Sequence, residues 1–176
     1  GKNMIHKKIS VKIGEHHPTA EITTYMIGNS EELYDGRLRP LIIICPGGGY
    51  EMTSDREAEG IALKFMAMGY HAAVLRYSVK PAVYPTALLQ LAATVKYFRE
   101  NADKYYIDAD KIIICGFSAG GHLVASYGNS WNKAQFTNNR VNGNEVCRPN
   151  AQILCYPVIS SGKYGHKESI ENLLGD

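Results

Sequence analysis

The segment Gly116-Phe117-Ser118-Ala119-Gly120 is a G-x-S-x-G motif, and its surroundings decide how the rest of the chain is interpreted. An apolar run at 111–115 precedes it and predicts a buried strand, and small residues at 121–125 follow it and predict a helix. A serine on a tight strand-to-helix turn is held where a substrate and a base can reach it. The pattern therefore predicts that Ser118 is a nucleophile. The alternative is an ordinary glycine-rich turn whose serine caps the helix.

The composition is typical of a globular protein with a sizeable core. The chain has 176 residues, of which 45% are hydrophobic and 20% charged, and its formal net charge is +2. The small net charge argues against a nucleic-acid partner. No apolar run reaches the roughly 20 residues that a membrane helix requires. The four cysteines lack the paired C-x-x-C spacing of a zinc site, so we expect no metal and no other cofactor.

The cysteines bear on the cellular compartment of the chain. Their pattern favours a reducing compartment, and we expect a cytoplasmic protein. Because Gly1-Lys2-Asn3 is unlike a native start, secretion after removal of a leader is the alternative. The sequence leaves both a monomer and a homo-oligomer open.

Apolar patterning divides the chain into alternating strands and helices. Two alternating stretches near the start predict a pair of antiparallel strands, 9–13 and 20–26. Further buried strands are predicted at 41–45, 72–77, 111–115 and 151–156, helices at 55–68, 84–101 and 119–127, and an exposed loop at 129–149. The polar segment 160–176 has no strand pattern. Strands that alternate with helices of this length indicate an α/β protein with a doubly wound, mostly parallel sheet.

A second glycine-rich turn, Pro46-Gly47-Gly48-Gly49-Tyr50, follows the predicted strand 41–45. In parallel sheets, ligands bind at the carboxyl ends of the strands. Both glycine-rich turns, 46–50 and 116–121, follow such ends. We therefore expect them to meet in one crevice, although they are distant in sequence.

These paired motifs resemble the α/β-hydrolase family, and more narrowly its esterase/lipase branch of acetyl esterases and acetyl-xylan-esterase-like enzymes. The resemblance rests on four segments and covers nearly the whole chain: Cys45–Tyr50, Arg76–Ser78, Gly116–Leu123 and Tyr156–Val158. It implies that residues 1–176 form the amino-terminal two thirds of one such domain, without its last strands. Many relatives have a histidine before the glycines, and Pro46 stands there in this chain.

The chemistry that the resemblance implies is acyl transfer by a serine nucleophile. Ser118 would attack an ester carbonyl and form an acyl-enzyme that water then hydrolyses. The amides of Gly48, Gly49 and Ala119 would form the oxyanion hole. Tyr50 would line the substrate pocket, and a structural tyrosine at the boundary between loop and core is the alternative.

In this family the acid and the base follow the nucleophile in the order Ser, Asp or Glu, His, so we expect both beyond Asp176. His122 is expected to pack beside the turn, and His166 to be an exposed loop residue. Three further histidines are predicted at the surface: His16, His17 and His71. Four acidic residues are assigned to the opening of helix 55–68 with no catalytic role: Glu51, Asp55, Glu57 and Glu59.

The leading hypothesis is a carboxylic ester hydrolase acting on short acyl esters, such as acetyl groups on sugars or small molecules. The expected partner is therefore a small-molecule or saccharide ester. A peptidase or a thioesterase on the same scaffold is the first alternative, because the fold does not determine the acyl donor. A catalytically inactive fragment or binding remnant is the second.

Overall fold

Six strands form one sheet in this computed structural model, which describes residues 3–133, 145–157 and 166–175. The strands are β1 (Lys8–Val11), β2 (Ala20–Tyr25), β3 (Arg39–Cys45), β4 (His71–Arg76), β5 (Ile107–Phe117) and β6 (Ala151–Cys155). Their order across the sheet is β1-β2-β4-β3-β5-β6. β1 and β2 are antiparallel to their neighbours, and β4, β3, β5 and β6 are mutually parallel. The predicted mostly parallel α/β sheet is confirmed.

Helices connect the parallel strands. They are α1 (Glu59–Ala67), α2 (Thr86–Glu100), α3 (Ala102–Tyr105), α4 (Ala119–Gly128) and α5 (Lys167–Leu174), with short 3-10 turns at Asp55–Glu57 and Glu145–Cys147. The predicted helix 55–68 is thus divided into a 3-10 turn and α1. Part of the predicted loop 129–149 lies outside the described residues. None of the helices within them is long and apolar enough to cross a membrane.

The two faces of the sheet are covered by different helices. Leu41 and Ile43 of β3 pack in the cluster that holds α2 and α4, whereas Ile42 and Ile44 pack in the cluster that holds α1. Successive side chains of a strand point to opposite faces, so a strand covered on both sides has no polar positions. All four side chains are at most 1% exposed. Burying each of them contributes roughly 1.5–3 kcal/mol.

Strand β6 has the same apolar pattern but is not buried, and here the sequence-based expectation is wrong. Ile153 is 38% exposed and Leu154 is 40% exposed. β6 pairs with β5 along one edge, and no other strand of the described ranges pairs along its second edge. An apolar pattern shows which neighbours a strand is suited to, and burial depends on whether those neighbours are present.

The prediction that His71 lies at the surface is also wrong, because the residue is fully buried at the start of β4. Its Nδ1 accepts a hydrogen bond from the Ile27 N–H at 3.1 Å, and its Nε2 donates to the Tyr106 carbonyl at 3.1 Å. Burial, together with the nearby charge of Arg39, lowers the pKa of His71 to about 4. The ring is therefore a neutral structural connector. His16 and His17 are exposed, as predicted.

Helix α4 begins against the ends of two strands, and two glycines permit this approach. A Cβ on Gly116 would lie 2.1 Å from the Gly120 carbonyl oxygen, and a Cβ on Gly120 would lie 2.0 Å from the Cys45 carbonyl oxygen. Real Cβ atoms do not approach backbone atoms this closely. Because glycine lacks a Cβ, the first turn of α4 can rest directly on the ends of β3 and β5.

The buried ring of His71 predicts that acid destabilises the fold. Protonation would place an Nδ1–H against the Ile27 N–H, so the unfolded chain binds more protons at this residue than the folded protein. The free energy of unfolding is therefore highest above the ordinary histidine pKa of about 6.5. It decreases by up to about 3 kcal/mol as the pH falls through the window from 6.5 to about 4.

Urea denaturation across this pH window measures the effect, with His71→Gln as the control, since glutamine does not titrate. The decrease in the free energy of unfolding should be smaller in that variant. Equal pH dependence in the two proteins would show that His71 does not contribute.

The contact of Gly120 with Cys45 predicts that Gly120→Ala destabilises the protein by about 3 kcal/mol, the upper end of the usual range for overpacking. Gly60 lies in α1 and provides a matched control, because a Cβ there would meet nothing within 4 Å. Gly60→Ala should raise the free energy of unfolding by roughly 0.5 kcal/mol through helix propensity. Chemical denaturation measures both variants. If the free energy of unfolding changed in the same direction in both, the packing argument would be contradicted.

Candidate active site

Ser118 lies in a strained turn between β5 and α4. Its φ is 51° and its ψ is −116°, a region that non-glycine residues avoid at a cost of about 1–3 kcal/mol. Its N–H donates to the Cys155 carbonyl at 3.0 Å, which helps to hold the turn. The Ser118 side chain makes no capping hydrogen bond to α4, so the interpretation as a simple helix cap is not supported. A serine held in this way presents its hydroxyl outside the helix.

The register of the sheet places the second glycine-rich turn beside Ser118. Cys45 at the end of β3 pairs with Gly116 at the end of β5, so the two turns leave the sheet side by side. A Cβ on Gly47 would lie 3.0 Å from Ser118 Cβ and 2.8 Å from the Phe117 carbonyl oxygen. The structure therefore brings together the two turns that were predicted to meet.

Gly48 and Gly49 line the same cleft as Ser118. We call it the serine cleft and define it by six of its residues: Gly48, Gly49, Glu57, Ser118, Tyr156 and His166. Gly48 has φ 142° and Gly49 has φ 66°, and a Cβ on Gly48 would lie 2.2 Å from the Met52 carbonyl oxygen. The backbone of this turn is thus available where side chains would block it. Ala119 is fully buried at the first position of α4.

Other parts of the chain hold the glycine-rich turn through its carbonyl groups. The Tyr77 hydroxyl donates to the Pro46 carbonyl. The Gly49 carbonyl accepts from Asn172 Nδ2 at 3.0 Å, and the Tyr50 carbonyl accepts from the Lys80 N–H at 2.8 Å. A turn fixed in this way is preorganised, which is what binding of a developing negative charge requires.

Tyr50 faces away from the serine cleft. It is 2% exposed, and its hydroxyl lies 2.7 Å from Nδ1 of His122 on α4. The two rings are nearly perpendicular, with centroids 5.8 Å apart, and both line a small apolar cavity beside Leu88 and Leu123. Burial raises the pKa of the Tyr50 hydroxyl far above its ordinary value. Contact with substrate therefore stays a prediction, and the observed contact joins the glycine-rich turn to the helix that follows Ser118.

His122 packs beside the turn, as expected. Burial lowers the pKa of His122, so the neutral ring is favoured. Its Nδ1 is engaged with Tyr50, and the ring lines the apolar cavity instead of the serine cleft. The contact of His122 with Ser118 is through the backbone, since the His122 N–H donates to the Ser118 carbonyl at 3.0 Å.

His166 is exposed, as predicted, but it lies at the start of α5 and lines the serine cleft. Its Nδ1 accepts from the Ser169 N–H at 3.2 Å and lies 2.8 Å from the Ser169 hydroxyl. With that lone pair in use, the neutral ring carries its proton on Nε2. In this arrangement His166 has no free lone pair to accept the Ser118 proton.

Glu57 is the residue of the cleft that sequence reasoning missed. The Tyr156 hydroxyl donates to Glu57 Oε2. A Cβ on Gly47 would lie 2.7 Å from Glu57 Oε1, so the carboxylate also lies against the glycine-rich turn. The sequence offered no signal for this position beyond four acidic residues near one helix start. Across the described ranges, no group of three or more His, Cys, Asp or Glu side chains is arranged to hold a metal ion.

Comparison with known proteins gives the family of the chain. The BD-FAE family model matches residues 32–160. The chain is 36% identical over 141 residues to endo-1,4-beta-xylanase B of Butyrivibrio fibrisolvens, covering 78% of this chain and 22% of that protein. It is 31% identical over 136 residues to the acetylxylan esterase of Xylanibacter ruminicola, covering 76% of this chain and 26% of that protein.

A solved structure shows the same fold. The carboxylesterase Cest-2923 from Lactobacillus plantarum is 32% identical and superposes with a TM-score of 0.84. The match covers 98% of this chain and 64% of that one, so the chain spans less than two thirds of this relative and about a quarter of the two curated ones. The chain belongs to the BD-FAE family, and its fold is that of an α/β-hydrolase of the esterase/lipase type.

Proposed function

We propose that this chain carries the nucleophile and the oxyanion hole of a carboxylic ester hydrolase. The observation that supports this most directly is the strained Ser118 turn, which lies against Gly47 and shares one cleft with Gly48 and Gly49. The names of relatives, among them an acetylxylan esterase and a carboxylesterase, agree with ester hydrolysis.

In the proposed reaction, Ser118 Oγ attacks the ester carbonyl carbon and its proton passes to a base. The tetrahedral intermediate expels the alcohol and leaves an acyl-enzyme, and water then releases the acid. The negative oxygen would be bound by the amides of Ala119, Gly48 and Gly49. The Ala119 N–H has no partner in the helical ladder of α4 and lies at the positive end of the helix dipole. Loss of one such donor typically lowers kcat by about 10²–10³.

We place the acid and the base outside the residues that the structure describes. His122 is engaged with Tyr50, and His166 uses its Nδ1 lone pair within α5. Neither ring is arranged to take the Ser118 proton. Short acyl esters of sugars or small molecules are the proposed substrates, in keeping with the name of the acetylxylan esterase relative.

The nucleophile assignment predicts that Ser118→Ala lowers the hydrolysis of p-nitrophenyl acetate by about 10⁴-fold or more in the full polypeptide that carries this chain. The same change should abolish covalent labelling by a fluorophosphonate, which requires an activated hydroxyl. Ser10→Ala is the control, since Ser10 is an exposed serine on β1. Equal rates and labelling in the Ser118→Ala protein and the unaltered protein would refute the proposal.

The bond between Tyr50 and His122 predicts a positioning effect. Tyr50→Phe removes only the hydroxyl, so the glycine-rich turn loses its link to α4 and kcat should fall about ten-fold while KM is unchanged. The control is Tyr97→Phe. The hydroxyl that it removes lies 2.5 Å from the Tyr105 hydroxyl and outside the serine cleft, so kcat should be unaffected. A rise in KM at constant kcat would instead support the role of Tyr50 in the substrate pocket.

A further inference from the structure

We propose that Glu57 and Tyr156 form a subsite, next to Ser118, for the hydroxyl groups of the substrate's alcohol portion. The inference rests on the proposed ester hydrolase and adds what the alcohol must offer. A neutral, polyhydroxylated alcohol such as a sugar fits this subsite, and an anionic alcohol does not.

The backbone positions the Glu57 carboxylate beside the nucleophile. The Ser54 N–H donates to the Gly47 carbonyl at 2.8 Å, and the Glu57 N–H donates to the Ser54 carbonyl at 3.2 Å. These bonds tie the 3-10 turn that holds Glu57 to the glycine-rich turn. The place where Gly47 would carry a Cβ lies 2.7 Å from Glu57 Oε1 and 3.0 Å from Ser118 Cβ. The carboxylate and the nucleophile therefore flank one point of the cleft.

Tyr156 reaches the same place from the other side. Cys155 at the end of β6 pairs with Phe117, the residue before Ser118, so Tyr156 leaves the sheet next to the nucleophile. Its ring packs edge-on against Phe117 with centroids 5.9 Å apart. It is 67% exposed, and its hydroxyl donates to Glu57 Oε2. That bond raises the pKa of Tyr156 to about 12, so the phenol stays protonated as a donor.

Within the part of the chain that the structure describes, Glu57 accepts a side-chain hydrogen bond from Tyr156 alone. An ionised carboxylate has about four acceptor sites, and Tyr156 occupies one of them. Glu57 is half-buried, and it forms no ion pair with any residue of the described ranges. Glu57 lines the serine cleft, so a ligand bound there can donate hydrogen bonds to the carboxylate in place of water.

The chemistry of the surrounding side chains favours hydroxyl groups over other donors. Arg56 lines the same cleft and supplies a positive charge, which disfavours an ammonium ligand. A hydroxyl can donate to Glu57 and accept from Arg56 or Tyr156, so it matches this mixed set. An anionic alcohol would be repelled by Glu57. Because an acetyl group carries no hydroxyl, the hydroxyls must belong to the alcohol.

The subsite also has a consequence for the reaction itself. A negative charge near Ser118 opposes the negative oxygen that forms during acyl transfer. Donors on the substrate that bind Glu57 reduce this opposition. With substrates that lack such donors the repulsion between Glu57 and the oxyanion is not reduced. The preference for hydroxylated alcohols should therefore appear in kcat/KM.

The test compares Glu57→Gln in the full polypeptide on two acetyl esters, a monoacetylated methyl β-D-xyloside with free hydroxyls and p-nitrophenyl acetate without them. Loss of charge-assisted hydrogen bonds should lower kcat/KM on the xyloside about ten-fold or more. On p-nitrophenyl acetate, which offers Glu57 no donor, the same change removes only the charge that opposes the oxyanion, so kcat/KM should rise instead of falling. Glu51→Gln is the matched control, because Glu51 is an exposed carboxylate just after the glycine-rich turn.

Tyr156→Phe keeps the ring on Phe117 and removes the hydroxyl that orients Glu57. It should lower kcat/KM on the xyloside less than Glu57→Gln does. If Glu57→Gln lowers both esters equally, or if Glu51→Gln has the same selective effect, the subsite is refuted while ester hydrolysis stands.

A binding measurement separates the subsite from the proposed function. Saturation-transfer NMR with unacetylated methyl β-D-xyloside is recorded on two proteins. The first carries Ser118→Ala alone, and the second carries Ser118→Ala together with Glu57→Gln. Selective loss of the xyloside signal in the second protein supports the subsite even if Ser118 proves not to be a nucleophile. Equal signals, or no signal from either protein, overturn the subsite whatever the esterase assays show.

Discussion

The contact between the first turn of α4 and the ends of β3 and β5 is the constraint on which the candidate site depends. Gly120 lies against the Cys45 carbonyl, and Gly116 lies against the Gly120 carbonyl. The contact places the strained Ser118 beside the glycine-rich turn 46–50. A side chain at either glycine would separate the proposed nucleophile from the amides proposed to stabilise its product, so the proposed chemistry depends on backbone atoms packing against one another.

Much of the fold could be predicted because local patterns and neighbours agree. The run Ile42–Ile44 predicts a strand covered on both faces, and helices do cover β3 on both sides. The similar run in β6 led to a wrong prediction, because burial depends on elements that the run itself does not specify. His71 was misplaced for a related reason, since the groups that bury it, Ile27 and Tyr106, are distant in sequence.

The candidate site was predictable only in part. The motifs around Ser118 and Gly48 carry a physical mechanism, so they could be paired from the order of residues alone. Glu57 lies in no such motif. Tyr156 begins one of the segments that carry the family resemblance, but nothing in the sequence pairs it with Glu57, and the two meet because the register pairs Phe117 with Cys155. Strand register is a property of the whole sheet, which explains why the motifs point to Ser118 and not to the neighbouring carboxylate.

The positive φ of Ser118 implies a trade-off between stability and activity at a single residue. Glycine adopts this backbone geometry without penalty, so the most stable residue for position 118 is one that has no hydroxyl. Selection for stability alone would thus remove the hydroxyl. A serine persists there only if its hydroxyl is useful, and the surrounding framework must be rigid enough to impose a geometry that serine would not choose.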